Sequence, residues 1–225
     1  MNKIQKISGL VIGLSLILMA GAAFWSMGSL LGEFQTADSV QQYELLKENQ
    51  GDLSTHLNAW IVIIILDALV SIALITRYHR VHPTRAVLTG VVRLIYTFIL
   101  VVAYSSLSLG LTSFNTGVTI AEFGQVTIYL EEFFSIWNLG LIVFGVHLIL
   151  WARLISQPKI VERILQILLF IAGAGYIITS GGPLAWEGYT EYGDTIQAVL
   201  MLPMVVGELG MGIFLLVQSI RSKKE

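Results

Sequence analysis

The stretch "IVIIILDALVSIALI", residues 61–75, places thirteen apolar residues around Asp67 and Ser71. It belongs to an apolar run long enough to cross a bilayer core, which takes about 20 residues of helix. A carboxylate at that depth costs roughly 2.5–3.5 kcal/mol on an insertion scale. The fold reading therefore begins with a membrane helix, and the site reading with a search for what Asp67 meets.

The rest of the chain has the same character. Of its 225 residues, 55 % are hydrophobic and 12 % charged, and the mean hydropathy is +0.77. A soluble domain carries about 25 % charged residues, so lipid is the solvent this composition suits. Six runs are predicted to span as helices: about 7–31, 57–76, 86–112, 128–152, 160–179 and 196–220. None shows the alternation of a barrel strand. The predicted fold is all-α: a polytopic six-helix membrane bundle formed by one integral membrane domain over residues 1–225. There are no cysteines, which excludes disulfides, thiol catalysis and Cys-ligated metal centres.

The charges orient it. Lys3 and Lys6 precede span one, and Arg77, Arg80 and Arg85 separate spans two and three. Arg153, Lys159 and Arg163 surround the turn between spans four and five, and Arg221, Lys223 and Lys224 close the chain. Eleven of the thirteen Lys and Arg thus share one side, which the positive-inside rule makes the cytoplasm. Both termini are expected there, in a multi-pass protein of the cell membrane, with a bacterial inner membrane the expected location. The other side is acidic, holding Glu33, Asp38, Glu44, Glu48, Asp52, Glu122, Glu187, Glu191 and Asp194, with Lys47 as its cation.

Span one has the basic start of a secretory signal and a small-residue "AGA" at Ala20–Ala22. Its apolar run continues through Trp25 to Leu31, beyond a 7–15-residue signal core, so a retained helix is expected. "GLVIG" (Gly9, Gly13) and "GSLLG" (Gly28, Gly32) give it small faces for close helix contact. The connection from Glu33 to His56 has room for a surface helix in "SVQQYELLKE".

Arg93, the basic residue inside a span, answers Asp67. At 1.5 Å per residue, Asp67 stands about 15 Å from the inner end of span two and Arg93 about 12 Å along span three. Antiparallel neighbours thus carry opposite charges at nearly one depth. The pair reads either as a structural clamp or as part of a binding cavity. Glu208, in "PMVVGELGMG" midway along span six, is a second candidate. It is open to three roles: a functional carboxylate, a protonated acid bonded to a neighbour, or a second partner of Arg93. Pro203 is expected to loosen the helix near it. His147 on span four reads as a hydrogen-bonded packing histidine and not a metal or haem ligand, because His56, His79 and His82 lie at other depths. Tyr96, Tyr104, Ser105, Ser106, Ser135 and Asn138 either line a polar cavity or bond to backbone carbonyls.

Glu131 and Glu132 stand at the outer mouth of span four, and "GGPLAWEGYTEYGD" adds further acids. These form a solvated acidic rim rather than a cation site, since no EF-hand loop is present. Trp186, Tyr189 and Tyr192 read as interfacial anchors. H-E-x-x-H, G-x-S-x-G, Walker and G-x-G-x-x-G patterns are absent, so no catalytic residue, metal or cofactor is assigned. Membrane lipid is the expected partner, a homo-oligomer stays open, and nucleic acid is not expected.

"FFSIWNLGLIVFGVHLILWARLI" (133–155), "ILQILLFIAGAGYII" (164–178) and "GELGMGIFLLVQSIR" (207–221) resemble the bacterial membrane proteins of domain-of-unknown-function family 4386. The resemblance covers nearly the whole chain. It implies an acidic residue in span two and an arginine in span three, at Asp67 and Arg93. It also implies an aromatic–Gly–x–His pattern at Phe144, Gly145 and His147, and the last-span glutamate at Glu208. A Pro-Arg pair and a glycine expected at the start of span five are replaced by Glu162–Arg163 and Gln166. The resemblance supports six spans and adds no chemistry.

Three functions are consistent with these residues. A small module binding or conducting a solute, ion or proton through a polar core comes first. A regulatory or scaffolding membrane protein with structural charges is second. An intramembrane lipid-modifying enzyme has least support, for want of a nucleophile–base pair. The third would need His147 within reach of Glu208, and the first a water-filled path to Asp67 or Glu208. Asp67 and Pro203 lack counterparts in the opposite halves, which weighs against an inverted-repeat transporter.

Overall fold

The computed structural model describes residues 2–221. Lys223 and Lys224 of the predicted basic side lie outside them. The described chain is all-helical, with α1 (Lys3–Ser26), α2 (Gly32–Thr36), α3 (Ser39–Glu48), α4 (Leu53–Tyr78), α5 (Pro83–Asn115), α6 (Gly124–Ala152), α7 (Ile160–Ala185) and α8 (Tyr189–Arg221). Six of these stretches, built on α1 and α4 to α8, are long and apolar enough to cross a membrane. Each of the six stretches outruns its predicted span at one end or both, because a helix ends where its backbone is capped and not where hydrocarbon meets headgroups.

Two ends show this locally. Residues 180–185 continue α7 through Pro183, although "SGGP" reads as a stop. Proline removes the bond to the carbonyl four residues back. Here that carbonyl, of Thr179, accepts from the Tyr189 hydroxyl at 3.5 Å, while the Tyr189 ring covers Gly182. Most of "GGPLAWEGYTEYGD" is therefore helix, and Trp186 stacks on Tyr192 with ring centres 5.8 Å apart. Pro203 likewise sits inside an unbroken α8.

The chain forms two compact units. The first comprises Met1–Ile17, Leu66–Thr97 and Asn138–Glu225, and the second Leu18–Ile65 and Phe98–Trp137.

In the first unit, glycines bring helix backbones together. An added Cβ at Gly13 on α1 would lie 2.6 Å from the Gly212 carbonyl on α8, and one at Gly207 on α8 would lie 2.7 Å from the Leu168 carbonyl on α7. On α6 and α7, Gly145 and Gly173 face each other's carbonyls, at 2.5 and 2.6 Å by the same measure. Small residues of this kind allow the close packing on which membrane helices rely, since burial in lipid supplies no hydrophobic drive. "GLVIG" is thus a helix contact, but "GSLLG" is not. Gly28 faces open space, and Gly32 abuts only Met27 of its own helix, where Met27–Leu31 makes a π-helical turn.

In the second unit, α3 forms where the sequence suggested, started by a capping box between Asp38 and Gln41. It buries Leu46, and Tyr43 packs edge-on against Phe114 and Phe123. His56 is buried, with Nδ1 3.1 Å from Ser26 Oγ, and Trp60 Nε1 donates to the same hydroxyl. Glu122 caps its own turn, accepting from the Thr119 hydroxyl at 2.7 Å and backbone at 3.2 Å. Those bonds hold its carboxyl below the usual range.

Candidate functional site

Asp67 on α4 and Arg93 on α5 meet in the first unit, with Arg93 Nη2 2.5 Å from Asp67 Oδ1 and neither side chain exposed. Thr97, one turn beyond Arg93, donates its hydroxyl to Asp67 Oδ2 at 2.5 Å. Both carboxylate oxygens are therefore occupied. Ser71 donates to the Asp67 carbonyl at 3.0 Å, one turn along α4.

The second terminal nitrogen of Arg93 goes to His147 on α6, not to Glu208. Nη1 lies 3.2 Å from His147 Nε2, and His147 Nδ1 lies 3.0 Å from the Thr89 carbonyl. A carbonyl only accepts and a guanidinium only donates. The ring must therefore carry its proton on Nδ1 and offer the Nε2 lone pair to Arg93. With both nitrogens committed, His147 has no free lone pair to act as base or metal ligand. The predicted packing role is close, but the residue also extends the ion pair onto a third helix.

Phe144, one turn before His147, places its ring 5.2 Å from the guanidinium carbon, a distance at which the ring face attracts the cation. Arg93 Nε is buried without a hydrogen-bond partner. The Phe144 ring also touches Tyr96 and Tyr176, with centres 4.8 and 5.1 Å away. Tyr176 on α7 faces Glu208 on α8, which stands in the field of Arg93 and Asp67. Glu208 is half-buried, whereas Asp67, Arg93 and His147 show no exposed surface.

Thr89, Thr97, Phe144 and Tyr176 escape a charge-based reading of the sequence. Thr97 carried a signal, for it sits four residues after Arg93, where side chains share one helix face; Thr89 enters through its backbone carbonyl, which any residue there would supply. Loss of the Thr97 hydroxyl leaves a buried carboxylate oxygen without a donor, a change costing about 1–3 kcal/mol. Thr97→Val is therefore expected to lower the melting temperature in detergent well below that of Thr97→Ser. Equal melting would remove Thr97 from the network.

The other candidates lie elsewhere. Ser106 donates to Glu132 at 3.0 Å, while Glu131 is exposed. Ser105 bonds to the Val102 carbonyl at 2.6 Å, and Ser135 and Asn138 are exposed. Among the described residues no group of His, Cys, Asp and Glu is arranged to hold a metal ion. A half-open cavity of about 760 Å³ in the first unit touches none of Asp67, Arg93, His147 and Glu208.

A family model described as "Domain of unknown function (DUF4386)" matches residues 11–218. The chain belongs to this family. The DUF4386 match encloses Asp67, Arg93, His147 and Glu208. An uncharacterized protein from Archaeoglobus fulgidus is 30% identical over 142 residues, covering 61% of this chain and 75% of that protein. No solved structure matches the chain.

Proposed function

We propose that this DUF4386 protein is a non-catalytic membrane module of the scaffolding or regulatory kind. In this reading the Asp67–Arg93–His147 network is a clamp joining α4, α5 and α6. One observation carries it: the two charges have no exposed surface, and the surrounding bonds occupy both carboxylate oxygens and both terminal guanidinium nitrogens. A group that binds or passes an ion must exchange partners with water or solute, and a pair with no exposed surface offers no way in for either. The same reading sets the basic ends of the spans in the cytoplasm of the cell, as their Lys and Arg require.

A second reading rests on Glu208, which is half-buried, faces Tyr176 and stands in the field of Arg93 without sharing its hydrogen bonds. It would make Glu208 a proton-carrying group beside the clamp. Vesicles containing the purified protein separate the two. They are expected to hold an imposed pH or potassium gradient as long as empty vesicles do. A leak abolished by Glu208→Gln or Asp67→Asn would overturn the scaffold reading.

A further inference from the structure

We propose that the 760 Å³ cavity of the first unit is a binding site for an anionic phospholipid. Its phosphate would sit at the rim formed by Lys159 and Arg221, with one acyl chain along the apolar wall. The volume lies within the roughly 300–1,000 Å³ of small-molecule pockets. Among the described lining residues three are cationic, Arg77, Lys159 and Arg221, against one carboxylate, Glu162. That carboxylate already accepts from the Lys159 backbone N–H at 2.9 Å.

The three cations have different tasks. Arg77 is a strut: Nη1 donates to the Gln5 carbonyl and Nη2 to Gln218 Oε1, each at 2.6 Å. It thereby ties α4 to α1 and α8 and shapes the wall. Lys159 and Arg221 are exposed, and each stands at the end of a membrane helix, at the N-cap of α7 and in the last turn of α8. These two ends coincide with the predicted limits of spans five and six, at residues 160 and 220, so both cations stand where apolar sequence gives way to polar, and basic pockets between membrane helices suit anionic headgroups. Behind this rim the lining turns apolar, through Leu154, Met211, Phe214 and Leu215. A free phosphate ion would leave that wall unused, whereas a phospholipid covers both parts.

Calorimetric titration of the full-length protein in detergent with dihexanoyl-phosphatidylglycerol tests the site. One saturable site is expected, and dihexanoyl-phosphatidylcholine should bind at least tenfold more weakly. Lys159→Gln combined with Arg221→Gln should also weaken phosphatidylglycerol at least tenfold. Arg80→Gln combined with Arg163→Gln, exposed cations outside the cavity lining, should change affinity less than twofold. The variants alter only exposed side chains, so each should elute as the parent does in gel filtration. Inorganic phosphate binding as tightly as phosphatidylglycerol would overturn the proposal in favour of a free anion. Equal binding of phosphatidylcholine, an unaffected Lys159/Arg221 variant, or an equal loss in the Arg80/Arg163 variant would also overturn it.

Discussion

Asp67→Asn and Arg93→Gln, made singly, are each expected to destabilise the protein by roughly 3–5 kcal/mol, and made together by clearly less than the sum. The reason is what each change leaves behind. Asp67→Asn strands a guanidinium that has no neutral form, beside the Phe144 ring and a neutral His147. Arg93→Gln strands a carboxylate whose remaining side-chain donor is Thr97. An aspartic acid does have a neutral form, so the first variant should be the worse of the two. The double variant leaves two amides able to bond to each other, with no buried charge. Reversible unfolding of the four proteins in mixed micelles gives the coupling energy directly. Strictly additive losses would mean that the pair does not act as a pair, and the clamp reading would fail with it.

The second large effect is steric. Gly145→Ala or Gly173→Ala should each cost about 1–3 kcal/mol, the usual range for overpacking a filled interior. The new methyl in either case would fall 2.5–2.6 Å from a backbone carbonyl of the facing helix, and no rotamer change relieves a backbone contact. Relief requires α6 and α7 to part. Once one substitution has separated them, the other adds less, so the double variant should fall short of the sum. Gly21→Ala is the internal control. Nothing lies within 4 Å of its added Cβ, and removing an exposed helical glycine is expected to gain up to about 1 kcal/mol. If Gly145→Ala melted with Gly21→Ala, the close approach of α6 and α7 would be refuted.

These two effects differ in how far they can be anticipated without coordinates. The depth match of Asp67 and Arg93 follows from counting residues along antiparallel helices at a constant rise. Such counting fixes height along a helix and says nothing of rotation about its axis. The sequence therefore leaves the bonding partners of His147 unnamed until α6 turns it toward Arg93, and leaves Glu208 with several roles until α8 turns it toward Tyr176. The glycines show the same limit. "GLVIG" and "GSLLG" are alike in spacing, yet only the first meets another helix, because α1 presents one face to α8 over Gly9 and Gly13 and widens into a π turn at the second.

The six membrane helices and their all-α class were legible in residue order alone, because a bilayer admits few ways of pairing backbone groups and demands apolar length, and the room for the short helix α3 was legible with them. So was the need of Asp67 for a cation at its own depth. Which helix faces meet, which side chain completes the arginine's bonds, and the enclosure of a basic-rimmed cavity by segments from positions 5 to 221 came only with tertiary packing. Those depend on rotations and contacts among residues far apart in the chain, and a one-dimensional pattern of polarity does not encode them.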